Sequence, residues 1–191
     1  MSLLGAIDKR QCITDTGRKM AALPVDPKFS RMILASGGLG CSKEVVDIVS
    51  VLSASSRLFL DVSKDDSSAV GTQNKFKHPS GDHCTILNAF RAYQEVVSLG
   101  SGREAKSWCA RNSLNERALS EAMEIRCQLR GICERIGIDT DHSCGGQVQP
   151  LLQCLVLGLI QNAAFIQPNG LYKQVMGPSV SSAFGWTSQN C

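Results

Sequence analysis

Residues 112–137 read NSLNERALSEAMEIRCQLRGICERIG, and this stretch decides the fold class. Apolar side chains recur at Leu114, Ala118, Ala122, Ile125, Leu129, Ile132 and Ile136. Their steps alternate between four and three, which lays them in one stripe along an amphipathic α-helix. Ser113, with Glu116 three residues later, has the pattern of a capping box. Gly137 suits the left-handed conformation that ends a helix. Arg126 and Arg130 stand one turn apart beside the stripe, a spacing at which like charges cost roughly 0.2–0.5 kcal/mol. Either Glu134, one turn beyond Arg130, offsets that cost, or an anionic partner does.

On both sides of this helix the chain keeps a helical rhythm. Towards the N-terminus, Thr14 or Thr16 caps a short helix to about Ala22, and Leu23-Pro24 breaks it. Asp26-Pro27 opens a second helix whose apolar face is Phe29, Met32 and Ile33, with Gly37-Gly38 as its stop. Ser42 caps a third, with Val45, Ile48, Val49 and Leu52 at helical spacing. Residues 63–78 are polar and read as a loop with at most one turn of helix. Lys75, Lys77 and His78 there are either a solvated surface or a basic lip for phosphate. Ser80 or Asp82 starts the next helix, which carries Ile86, Leu87, Phe90, Tyr93 and Val97 and ends at Gly100. Residues 101–106 read as a connector, and Trp108 as a seal on the core. Pro150 opens a last helix, Leu151 to about Ala164, which is apolar on nearly every side. Pro168-Asn169-Gly170 is a turn, and Leu171 to Met176 a strand. The tail after it has no periodicity and no partner strands, so it is expected to be irregular.

The bulk numbers exclude more than they assign. With 20 Lys and Arg against 17 Asp and Glu, the net charge is +3, so any nucleic-acid site must be a local patch. Nine cysteines contain no CxxC pair; most sit in apolar runs and read as buried structural residues, and the odd count suggests reduced thiols. The most apolar segment, Leu151 to Ile160, is about half the length of a membrane span, so no membrane partner is expected. No phosphate-binding GxxxxGK[ST] loop, no GxGxxG after a strand and no GxSxG elbow is present. His78, His83 and His142 have no metal-ligand spacing. From the residues alone, no catalytic, cofactor or metal site is expected.

Five stretches in order resemble the region C-terminal to the core of DEAH-box RNA helicases. LLGAID followed by ITDTGRKMAALPVDPKFSRMIL resembles the end of that family's winged helix passing into its helical "ratchet", or helicase-associated, domain. GCSKEVVDIVSVLS, HPSGDHCTILNAFRAYQEV and KSWCARNSLNERALSEAMEIRCQLRGI resemble successive ratchet segments. LLQCLVLGLIQNAAFIQPNGLYKQV resembles the helix and first strand leading into the family's OB-fold.

The resemblance implies a mainly α fold. Residues 1–25 form a partial winged helix, 26–146 a helical ratchet domain, 147–176 a truncated OB-fold start and 177–191 an irregular tail. It further implies an accessory C-terminal module of an ATP-dependent RNA helicase, a piece or an alternatively terminated product lacking the RecA-like domains. Such a piece is inactive by itself, with ATP and magnesium expected only in that absent core. The ratchet lines the channel for single-stranded RNA, which makes Lys106, Arg111, Arg117, Arg126 and Arg130 the candidate RNA-binding residues. Implied partners are RNA, the helicase's own RecA-like domains and protein activators or ribonucleoprotein factors; docking such factors is the alternative function. The implied location is nuclear or nucleolar, with the cytoplasm as the alternative.

Overall fold

The computed structural model describes residues 1–60, 67–100, 102–168, 170 and 172–175. Among them the chain is mainly helical, in the order α1 (Asp15–Ala21), α2 (Pro27–Leu39), α3 (Ser42–Ser53), α4 (Ser67–Asn74), α5 (Asp82–Leu99), α6 (Gly102–Arg111), α7 (Glu116–Arg135) and α8 (Val148–Leu159). A short hairpin of β1 (Ala164–Ile166) and β2 (Tyr172–Gln174) follows. No described helix is long and apolar enough to cross a membrane.

The centre of the fold is α3. Residues 44 to 51 of this helix are all buried, because α2, α5, α7 and α8 each pack against it. One apolar cluster joins Met32 and Ile33 of α2 to Val45, Ile48 and Val49 of α3, Leu129 and Cys133 of α7, and Leu151 and Leu155 of α8. A second joins Phe90 and Tyr93 of α5 to Ala105 and Cys109 of α6 and Leu119 and Ala122 of α7. The long helix α7 therefore bridges two cores, one for each half of its stripe. On α8, Gly158 is the point of closest approach to α2: a Cβ there would run into Met32 and the carbonyl oxygen of Lys28. Five cysteines in or beside these helices, Cys41, Cys84, Cys109, Cys133 and Cys154, are buried and free, whereas Cys12 and Cys127 are exposed. Burial pushes the Cys133 thiol up to about 11, so it packs as a small neutral group.

Local chemistry explains most boundaries. The Thr14 hydroxyl accepts from the Gly17 N–H and caps α1. Asp26 accepts from the Lys28 N–H and caps α2, with Pro27 at its first position. The stop of α2 is Gly40, at φ +66°, and not Gly37-Gly38, which lie inside the helix. A helical glycine costs about 1 kcal/mol, a penalty that burial of Met32, Ile33 and Ser36 on the same helix offsets. Cys41, without a side-chain cap bond, precedes α3, and Ser42 is already helical.

Two segments read as irregular are helical: residues 67–74 within the expected loop, and 102–106 within the expected connector. Ala105 of α6 is fully packed in the second core, so tertiary contact supplies what the polar sequence of α6 hides. At the other end α8 stops at Leu159, and one 3₁₀ turn leads into β1. The strand after the Pro168 turn pairs antiparallel, Phe165 opposite Lys173. The expected irregular tail, 177–191, lies outside the described residues.

Candidate functional site

The element carrying most of the candidate cations, α7, begins two residues later than a Ser113 cap requires. Ser113 is at φ +53°, and its carbonyl accepts from the Leu60 N–H and from Nε2 of Gln73. Leu114 bridges to Phe59 as extended chain and is buried. Docking of residues 58–60 thus takes the expected capping residues out of the helix. Asn115 caps instead, accepting from the Ala118 N–H at 3.3 Å. The C-terminus is a Schellman motif: the Ile138 N–H donates to the Cys133 carbonyl, the Gly137 N–H donates to Glu134, and Gly137 sits at φ +80°.

The candidate cations separate into groups. Arg126 and Arg130 remain one turn apart, and each ends on an aspartate. Nε of Arg126 donates to Oδ1 of Asp47 at 2.5 Å, and Nη2 of Arg130 donates to Oδ1 of Asp141 at 2.5 Å. Asp47 lies on α3 and is 1 % exposed, whereas Asp141, on the link to α8, is 76 % exposed. Arg117 is about two and a half turns from Arg126 and so projects from the opposite side of the helix. It is exposed and favours the ionised form of Glu121, whose carboxylate is brought down first by the Ser55 hydroxyl at 2.7 Å. On α6, Lys106 and Arg111 are exposed, and Arg111 donates to the Ser107 hydroxyl at 2.9 Å. Lys75 belongs beside them. Its ammonium stands 5.0 Å from the Phe76 ring centre and 5.8 Å from that of Trp108 on α6. The structure therefore brings Lys75 of the expected basic lip against Trp108 of α6 and leaves Arg117 apart from the Arg126–Arg130 pair.

The partners of these arginines are what the sequence conceals. Glu44 and Asp47, three residues apart on α3, are each 1 % exposed. Glu44 accepts from Arg91 of α5 at 2.5 Å, from the Ser143 hydroxyl at 2.6 Å and from the Cys144 N–H at 3.3 Å. Burial pushes its carboxyl up, but these bonds and its own backbone N–H together hold it below the usual glutamate value. Asp47 differs: burial pushes its carboxyl up, and Arg126, Arg91 and Gln94 only partly reverse that. Its Oδ2 has no hydrogen-bond partner. The sequence signal was two carboxylates, three apart, beside the apolar stripe Val45, Ile48, Val49 and Leu52.

Among the described residues no His, Cys, Asp and Glu side chains gather as a metal-ligand set. A groove of about 640 Å³ runs past the end of α3, lined by Val51, Leu58, Leu60, Gln73 and Ile86 among others. None of the five candidate cations lines it.

Comparison with known proteins covers nearly the whole chain. Residues 2–25 match the helicase-associated domain (HA2) winged-helix family, and residues 26–86 match the ratchet-like family of the same name. The human ATP-dependent RNA helicase DHX33 is 37% identical over 175 residues, 90% of this chain and 24% of that protein. Its Drosophila melanogaster counterpart is 34% identical over 165 residues, 86% of this chain and 22% of that protein. The probable ATP-dependent RNA helicase DHX35 of Pongo abelii is 30% identical over 173 residues, 90% of this chain and 23% of that protein. The chain thus spans less than a quarter of the length of these relatives. With winged-helix and ratchet-like matches in sequence order, on a mainly helical fold, the chain belongs to the helicase-associated family carried by the C-terminal region of DEAH-box RNA helicases.

Proposed function

We propose that this chain acts as the accessory C-terminal module of an ATP-dependent RNA helicase, lining the path of single-stranded RNA and supporting unwinding by RecA-like domains. What supports this reading is the match along 90% of the chain to an ATP-dependent RNA helicase, which includes α6 and α7 with all five candidate cations. Lys106, Arg111 and Arg117 then meet backbone phosphate from exposed positions, and Arg126 and Arg130 do so from the paired face of α7. In this reading ATP and magnesium bind only in the RecA-like domains, and the protein works in the nucleus or nucleolus. Residues 1–25, 26–146 and 147–176 are the winged-helix, ratchet and OB-fold contributions, and the exposed hairpin β1–β2 is the first piece of that last sheet.

The test is a salt titration of the purified chain against a labelled single-stranded oligouridylate, run beside an ATP turnover assay. Binding that weakens steeply with salt, with no turnover, is the expected result. Robust ATP turnover by the chain overturns the reading. A second reading, a docking module for protein factors, is favoured by the exposed apolar side chains Val156, Leu157, Phe165, Ile166 and Tyr172 on α8 and the hairpin. Unchanged RNA affinity in an Arg126→Ala, Arg130→Ala double variant of a longer helicase, with loss of a bound protein, selects that reading.

A further inference from the structure

We propose that Asp47 is a positioning residue for Arg126: it holds the guanidinium by Nε and so aims the two terminal nitrogens outward, at the phosphate of a single RNA strand. The inference rests on the RNA reading above and assigns one residue to it that touches no RNA.

The geometry sets Arg126 apart from the other paired arginines. Arg91 and Arg130 each donate a terminal nitrogen to their carboxylate. Arg126 donates Nε. Among the described residues the structure assigns no acceptor to its terminal nitrogens. A guanidinium held at Nε keeps its planar terminal fork, the part that matches a phosphate with two parallel hydrogen bonds. About a fifth of the Arg126 side chain is open to solvent, while its partner is 1 % exposed. With Nε spent on a buried acid, the terminal fork is the part of the guanidinium left to meet a ligand.

Asp47 is built to hold rather than to yield. It sits on α3, packed on all sides, so its carboxylate does not move with solvent as that of Asp141 does. Burial pushes the Asp47 carboxyl up, and Arg126, Arg91 and Gln94 oppose that only in part; the hold on Arg126 is the Nε–Oδ1 hydrogen bond itself. Fixing a long side chain before the ligand arrives removes part of the ordering cost of binding.

The test uses the 191-residue chain, a labelled single-stranded oligouridylate at low salt, and thermal unfolding to check that each variant is folded. Arg126→Lys preserves net charge and a cation for Asp47, but its single ammonium is spent on that carboxylate. It is expected to bind the probe roughly tenfold more weakly, the size of one charge-assisted hydrogen bond. The slope of log affinity against log salt should become shallower by about 0.7, one phosphate contact on a single strand. Asp47→Asn removes a negative charge beside the strand, which by charge alone tightens binding. Positioning predicts the opposite, a weaker complex, because the neutral amide holds Nε less firmly.

Weaker binding by both variants supports the proposal. Weaker binding by Arg126→Lys, with unchanged or tighter binding by Asp47→Asn, overturns the role of Asp47 and leaves the RNA contact standing. A folded Arg126→Lys chain that binds like the parent overturns the RNA contact of Arg126 and the positioning role together. So does a parent chain that leaves the probe unbound at low salt.

Discussion

Arg126 and Arg130 stand one turn apart on the same helix, and each ends on an aspartate at 2.5 Å. By distance the two ion pairs are identical; by surroundings they are opposites. Asp141 stands in solvent, where the pair gains little Coulomb energy and loses side-chain freedom, a net of about 0–1 kcal/mol. Asp47 lies inside the bundle, where leaving either charge alone is costly though the intact pair itself gives little net stability. Its carboxyl is pushed up in spite of Arg126, so burial outweighs the attraction. The length of an ion pair therefore says nothing about its worth. The depth of the acceptor decides it, and depth here is set by α3.

The largest effect is expected at Leu129, the buried residue directly before Arg130. Leu129→Ala removes a fully packed side chain and should cost about 2–5 kcal/mol, visible as a lower midpoint in urea unfolding. If that loss is no larger than the loss from cutting the Arg130 pair, depth does not govern this helix.

Next comes Arg126→Ala, expected to cost about 3 kcal/mol at neutral pH, the low end for stranding a buried charge because Arg126 is partly open to water. The sign with pH follows from linkage. Asp47 already has a folded pKa above its ordinary value, and losing the cation raises it further. The penalty is then present above that folded pKa and is relieved as pH falls through it. Parallel unfolding curves of parent and variant at pH 7 and pH 5 check this; a gap that widens in acid breaks the account.

Glu44 should behave with the opposite sign. Its folded pKa lies below the ordinary value of 4.5, so its contribution is present above about pH 4.5 and is lost as pH falls through the lower folded value. Glu44→Gln is expected to cost about 1.5–3 kcal/mol at pH 7, the range for one hydrogen bond to a charged group. The difference from the parent should shrink below pH 4.5 in thermal unfolding. The smallest effect belongs to Asp141→Ala, under about 1 kcal/mol and reduced further by added salt. A loss at Asp141 equal to that at Arg126, by the same measurement, ends the distinction between the two pairs.

Much of the fold was legible because helices announce themselves locally. The stripe from Ala118 to Ile132, the Asp26-Pro27 start and the Gly137 stop each follow from side-chain spacing or backbone freedom. Where reading failed, a distant contact had overridden a local signal. Ser113 looks like a cap, yet residues 58–60 dock against it and Asn115 takes the role. Gly37-Gly38 look like a stop, yet the packed face of α2 carries the helix through to Gly40. Polar α6 looks like a connector, yet Ala105 and Cys109 anchor it in the second core. The five candidate cations can be picked out as residues, but their arrangement cannot: Arg117 falls on the far side of α7 from Arg126.

By itself the sequence determined a mainly helical chain, its family and the arginines one turn apart, because those depend on periodicity and residue type. Only the tertiary structure decided what neutralises them. Glu134, one turn beyond Arg130, was the local candidate, but the aspartates that arrive are Asp47 and Asp141, the first from a helix 79 residues earlier in the chain. No periodicity encodes such a pairing. The Asp47 pair comes from the packing of α7 on α3, which buries that acid, while Asp141, on the link after α7, stays in water.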